Sequence, residues 1–195
     1  VLPSPTPAQT AQPDSVSLNT VEATGNYGND NYVNSKKVPK ESFTAISPGD
    51  KDKKPLSNAF DGNVGGTYWV TSTVNTETFK NYLIVNFNNL TYIEAILYNM
   101  AYSTNTNVSP NTRRYDGIPR VLKVFTSLNG EQFKLNHIFT GGPRKSDLWG
   151  RLAFIFESPI WCDKLKMEFT ELTLNEYLGN DYSVACGQLF FIQAI

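Results

Sequence analysis

"RVLKVFTSLNGEQF", residues 120–133, is the stretch whose reading decides the fold. Leu122 and Val124 fall on one side of an extended chain, and Val121 and Phe125 on the other, the two-residue period of a strand. Asn129-Gly130 follows, and because both residues tolerate positive φ the chain folds back as a hairpin. Similar alternation recurs on either side. In "NYLIVNF" Leu83, Val85 and Phe87 share a face, and in "RLAFIFES" Leu152, Phe154 and Phe156 do. "KLKMEFTEL" sets Leu165, Met167 and Phe169 against Lys164, Lys166, Glu168 and Thr170. No segment of a dozen residues carries a 3.6-residue period. Strands at roughly ten-residue spacing, with turns between them, predict an all-β, antiparallel sandwich or barrel.

The chain has 195 residues, enough for one domain with a real core and an arm. Its 17 Lys+Arg are matched by 18 Asp+Glu, so there is no surplus positive charge to neutralise a nucleic-acid backbone, and no nucleic-acid partner is expected. No apolar run approaches the roughly 20 residues of a membrane span, and the first residues lack the pattern of a signal peptide. The expected object is a segment of something longer. Residues 1–18, with Pro3, Pro5, Pro7 and Pro13, read as a proline-rich linker, and 19–195 as the domain. Up to Lys54 only "SFTAIS" alternates as an edge strand would.

Cys162 and Cys186 bracket the last two expected strands, and a disulfide between them is expected, with two buried thiols as the alternative. Acceptor sequons stand at Asn89-Leu90-Thr91 and Asn107-Val108-Ser109. Catalysis finds little to work with. The single histidine, His137, is phased with Phe133, Leu135 and Phe139 on a strand and reads as structural. "TGGPRKSD" has no following helix to receive a phosphate. Glu168 and Glu171 read as carboxylates along an exposed strand edge and beyond it, not as an acid–base pair.

"NAFDGNVGGTYW", residues 58–69, gathers Asp61, Asn63 and Thr67 in a glycine-loosened loop closed by Trp69. Oxygen side chains that close together cost desolvation unless they hydrogen-bond, face water or hold a cation. This loop, "YIEAILY", "VLKVFTSLNGEQF" and "ACGQLFFI" together resemble the discoidin fold, the coagulation-factor type C domain. The resemblance runs from about Ala45 to Gln193 and is closest to the carbohydrate-binding modules of family 32.

The resemblance implies a discoidin-like eight-stranded jelly roll, an antiparallel β-sandwich with ligand loops at one end. It also implies a structural Ca2+ on Asn58 (by its carbonyl), Asp61, Asn63, Thr67 and Gln188, where relatives usually carry Glu at the last position. A hydrogen-bonded loop of the same shape without an ion is the alternative. Two polar loops, "STNTNVSPNTRRYDG" and "NEYLGNDYS", offer the guanidinium, carboxylate, amide and aromatic groups that sugar recognition uses. The candidates are Arg113, Arg114, Asp116, Tyr177, Asn180 and Tyr182. In the resembled modules a histidine follows the loop tryptophan, where Val70 and Thr71 stand here, and an asparagine lies near Ile118 and Pro119. Galactose specificity is therefore not assumed. The expectation is a monomeric, non-catalytic module, secreted or at the cell surface, that binds a glycan or glycoprotein and targets an attached glycosidase or peptidase. Adhesion to protein is the rival. Anionic phospholipid is disfavoured by the polar loop tips.

Overall fold

The computed structural model describes residues 15–17, 37–63, 67–101, 117–140, 151–174 and 181–195. Among them are eight strands: β1 (Ser15–Ser17), β2 (Phe43–Ile46), β3 (Trp69–Val70), β4 (Tyr82–Met100), β5 (Pro119–Ser127), β6 (Lys134–Thr140), β7 (Arg151–Leu172) and β8 (Ala185–Gln193). The hydrogen-bonded order is β1-β6-β5-β7-β4-β8-β3, with β2 also on β4. The hairpin expected at Asn129-Gly130 is present as the antiparallel pair β5–β6. β1 is different: three residues of the expected linker pair in parallel with Ile138–Thr140 of β6. Part of the expected arm therefore takes its place at the sheet edge, since backbone pairing needs no apolar side chain to signal it.

β4 and β7 are the surprise. Each alternating run was expected to be a separate strand, but β4 runs for 19 residues and β7 for 22. The two pair from Tyr82↔Glu168 to Asn86↔Lys164. After an irregularity they pair again from Thr91↔Cys162 to Asn99↔Arg151. Bulges bend a ladder without ending it. The first half of β4 is flanked by β2 and β7, and the second half by β7 and β8. One pair of strands therefore belongs to both layers of the sandwich.

The layers meet through aromatic edges. Phe43 packs on Phe191 at a ring separation of 5.4 Å and on Phe87 at 6.1 Å, Phe87 on Phe191 at 5.6 Å, Phe139 on Phe154 at 5.3 Å, and Trp69 on Phe169 at 6.2 Å. Leu83, Val85, Leu122, Val124, Leu165, Met167 and Phe169 are all fully buried, as their phase required. Asn129 and Gly130 take φ of 52° and 79°, and Glu131 N–H closes the turn on Leu128 O at 2.9 Å. His137 is half-buried, stacked on Phe139 and edge-on to Phe156 at 4.8 Å. Burial lowers its pKa, and the charge of Glu157 opposes that only in part.

The register sets two ends. The bend at 88–90 lies beside Trp161–Asp163 and the C-terminal residues, where Ala194 N–H bonds Tyr92 O at 2.9 Å. At the other end β4 begins and ends, and there lie segment 71–81 and the described stems 101, 117, 173–174 and 181–184.

This geometry overturns the expected disulfide. Cys162 pairs with Thr91 beside the bend, whereas Cys186 pairs with Met100 at the far end of the same strand. Nine strand residues span roughly 30 Å. A bridge needs Cα atoms about 4.4–6.8 Å apart. Both cysteines are free and buried. Burial, with the charge of Asp163, pushes the Cys162 thiol up to about 12, and burial raises Cys186 further. Neither is a thiolate, so neither should react in the native fold. Intact mass should show no alkylation of native protein and two alkylated cysteines after denaturation without reductant. An unlabelled denatured chain would mean a bridge.

Candidate functional site

The loop after the Leu56–Phe60 turn is anchored from inside. Asp50 accepts hydrogen bonds from Ser47 Oγ (2.9 Å), Trp69 Nε1 (2.9 Å) and Leu56 N–H (3.0 Å). Trp69 is fully buried, so it is a core residue and not a ligand platform. That leaves the polar tip of the loop facing β8.

There the structure brings Asn58, Asp61, Asn63, Thr67 and Gln188 together. Buried Gln188 donates through Nε2 to Asn58 O at 2.7 Å and to Asp61 Oδ1 at 2.6 Å. Its Oε1 accepts from Gly62 N–H at 3.0 Å. Asp61 also accepts from Asn63 N–H at 2.8 Å and from Thr67 Oγ1 at 2.5 Å. Asn63 thus serves through its backbone. Burial alone would raise the Asp61 carboxyl, but the bonds from Thr67, Asn63 and Gln188, with the charge of Lys40, hold it below its ordinary value.

Calcium needs oxygens converging on one point. Here the amide Nε2 faces two of the oxygens that would have to converge. Turning the amide would set Nε2 against Gly62 N–H, donor against donor. With glutamine at 188, the donor set does not fit a cation. Among the described residues, no group of three or more His, Cys, Asp or Glu gathers elsewhere either.

The second region is the loop end. Arg113, Arg114, Asp116, Tyr177 and Asn180 lie outside the described residues. The stems of their loops are described, and they converge. Ala185 N–H bonds Gly117 O at 3.1 Å, and Thr173 N–H bonds Ile118 O at 2.9 Å. Tyr98 Oη, fully buried, donates to Ala185 O at 2.7 Å. Burial holds that hydroxyl protonated, its pKa well above the usual phenol value. Gly117 has φ +60°, and a Cβ there would sit 2.4 Å from Ser183 O.

Tyr182 is the candidate that is both described and open, 49% exposed beside these stems. Its carbonyl accepts from Asn75 N–H at 2.9 Å. Asn75 belongs to a shelf that the strand alternation gave no reason to single out. Asn75 Oδ1 accepts from Asn81 N–H at 2.8 Å, Asn75 Nδ2 donates to Phe169 O at 2.6 Å, and Asn81 Nδ2 donates to Thr73 O at 2.9 Å. The recurrence of Asn at 75 and 81 was the available signal, since paired amides can replace a ladder in a turn. Val70 and Thr71 are buried and cannot stand in for a ligand-facing histidine.

No family model matches the chain, and no curated protein matches its sequence. Solved structures match its fold. The CBM32-1 and CBM32-2 domains of Clostridium perfringens ZmpB align over 93% of this chain at TM-score 0.71 and 19% identity. The same pair in complex with GalNAc aligns over 82% at 0.63 and 21%. The family 32 module of C. perfringens NanJ, in complex with galactose, aligns over 80% of this chain and 97% of its own at 0.58 and 19%. The chain spans 43% and 36% of the two ZmpB chains. Its fold is therefore the discoidin-like β-sandwich of family 32 carbohydrate-binding modules.

Two outcomes follow from this geometry. Chelator should leave the melting temperature unchanged, whereas Gln188→Glu, which replaces Nε2 by a second oxygen, should make it rise with added calcium. A calcium-sensitive melt of the unaltered chain would restore the ion. Gly117→Ala should destabilise by about 1–3 kcal/mol or more in a denaturant titration, from its left-handed φ and the Ser183 clash.

Proposed function

We propose that the chain is a non-catalytic carbohydrate-binding module whose ligand site lies at the loop end. The observation that carries this reading is Tyr182, half open on a shelf of hydrogen-bonded amides where the stems of the two candidate loops are tied together. A tyrosine ring offers a flat apolar face to the C–H side of a sugar and a hydroxyl to its edge. Arg113 or Arg114, Asp116, Tyr177 and Asn180 would supply directional bonds to the hydroxyls. Neighbours of this fold are seen with GalNAc and with galactose, which supports a glycan ligand. Buried Val70 and Thr71 count against copying their specificity.

Such a module concentrates an attached partner on glycoconjugates outside the cell. In one neighbouring structure, family 32 modules share a chain with an M60 catalytic domain, and another neighbour comes from a family 31 glycoside hydrolase. A secreted or surface-displayed glycosidase or peptidase is the partner this reading assigns.

A glycan array, with a protein array and anionic liposomes as comparators, tests the class of ligand. With a ligand in hand, the Arg113→Ala, Arg114→Ala double variant should lose tenfold or more in affinity, the worth of a charge-assisted hydrogen bond at about 1.5–3 kcal/mol. Tyr182→Ala should weaken binding too. Melting temperatures should not move. Undiminished binding by both variants would place the site elsewhere.

A further inference from the structure

At the opposite end, where β4 and β7 bend, the surface carries a hollow of about 290 Å³. Two neighbouring strand residues line it, Tyr92 and Trp161, directly paired in the β4–β7 register. Their rings stack at 4.5 Å and 14° from parallel. Trp161 is 52% exposed and Leu90, on the same rim, 51%. Trp69, the other described tryptophan, has no exposed surface at all. Leaving an indole in water forgoes hydrophobic stabilisation that an inward side chain at the bend would gain.

The lining also defines what could sit there. Ser42, Asn89 and Gln193 bring a hydroxyl and two carboxamides to the rim, and no residue of the lining is charged. An anion or a cation would find no ionic partner in the lining itself. The volume falls just short of the ~300–1,000 Å³ usual for small-molecule sites, room for one ring more than for a chain. A stiff aromatic pair bordered by neutral donors and acceptors matches a neutral pyranose, which has an apolar C–H face and a hydroxyl edge.

We propose that the Tyr92–Trp161 hollow is a second sugar-binding site, separate from the loop end and independent of the reading given to it. Its ligand is a neutral pyranose ring. Asn89 heads the Asn89-Leu90-Thr91 sequon at the rim, so the ring has two sources: a glycan of another molecule, or one carried on Asn89 itself.

The full chain, ¹⁵N-labelled and unglycosylated, is titrated with galactose, N-acetylgalactosamine, glucose and mannose. The Trp161 indole N–H resonance is assigned by its loss in Trp161→Phe. A second arm uses chain glycosylated at Asn89 and looks for contacts between the first sugar ring and the Trp161 indole. In the first arm a saturable shift of the Trp161 resonance is expected. It should survive the Arg113→Ala, Arg114→Ala double variant; binding followed at the side-chain amide resonances of Asn89 and Gln193, which stay observable in every Trp161 variant, should weaken about tenfold in Trp161→Ala and persist in Trp161→Tyr. Ring contacts in the second arm alone would assign the hollow to the chain's own glycan. A Trp161 resonance unmoved by all four sugars, with no ring contact in the glycosylated chain, overturns the proposal. Responses at Tyr182 report on the loop end separately, so either site can fail alone.

Discussion

The β4–β7 ladder carries the architecture. These two strands pair on both sides of the bend, from Tyr82↔Glu168 to Asn99↔Arg151, so each layer of the sandwich is built outward from the same two backbones. β5 and β6 extend one layer, β8 and β3 the other, and β2 borders the first half of β4. The faces that result are closed by aromatic edges such as Phe87 on Phe191 and Trp69 on Phe169. Everything that varies at the loop end is hung on strand ends that this ladder holds in place.

Polar chemistry around the frame is largely the work of amides. Gln188 joins three parts of one loop, and Asn75 with Asn81 ties a turn to Phe169 of β7. A carboxamide offers donors and acceptors at fixed geometry without a net charge to desolvate. That is why a tip rich in oxygens can be satisfied next to a fully buried side chain. Glutamate at 188 would bring a second acceptor where the loop now needs a donor.

Side-chain phase was legible in the sequence because one period of two decides which residues reach the core: Leu83, Val85, Leu122, Val124, Leu165 and Met167 all do. The hairpin at Asn129-Gly130 was legible for an equally local reason, the positive φ both residues adopt. The continuity of β4 and β7 was not, since the asparagine-rich stretch at 86–91 and Pro159 look like breaks when a bulge keeps the ladder going. The cysteine pairing failed because position along the chain says nothing about which end of a strand a residue occupies. At the loop 58–69 the residue types identified the cluster, but whether an amide or an ion fills it depends on which way one side chain points. For Arg113, Arg114, Asp116, Tyr177 and Asn180 the sequence remains the whole basis of the reading.

The shared ladder also bears on how the chain finds its fold. The β5–β6 hairpin joins residues close in sequence, so it can close early and alone. β4 and β7 are separated by the whole of that hairpin, and their pairing fixes two layers at once. The loop-closure entropy of the fold is therefore concentrated in one long-range event, the arrangement that places sandwich folds among the slower folders. Until that event, the long edges of both strands stand open to other chains. Stabilising β4–β7 contacts that form in the rate-limiting step speeds folding, while changes at loop stems such as Gly117 act mainly on the rate of opening.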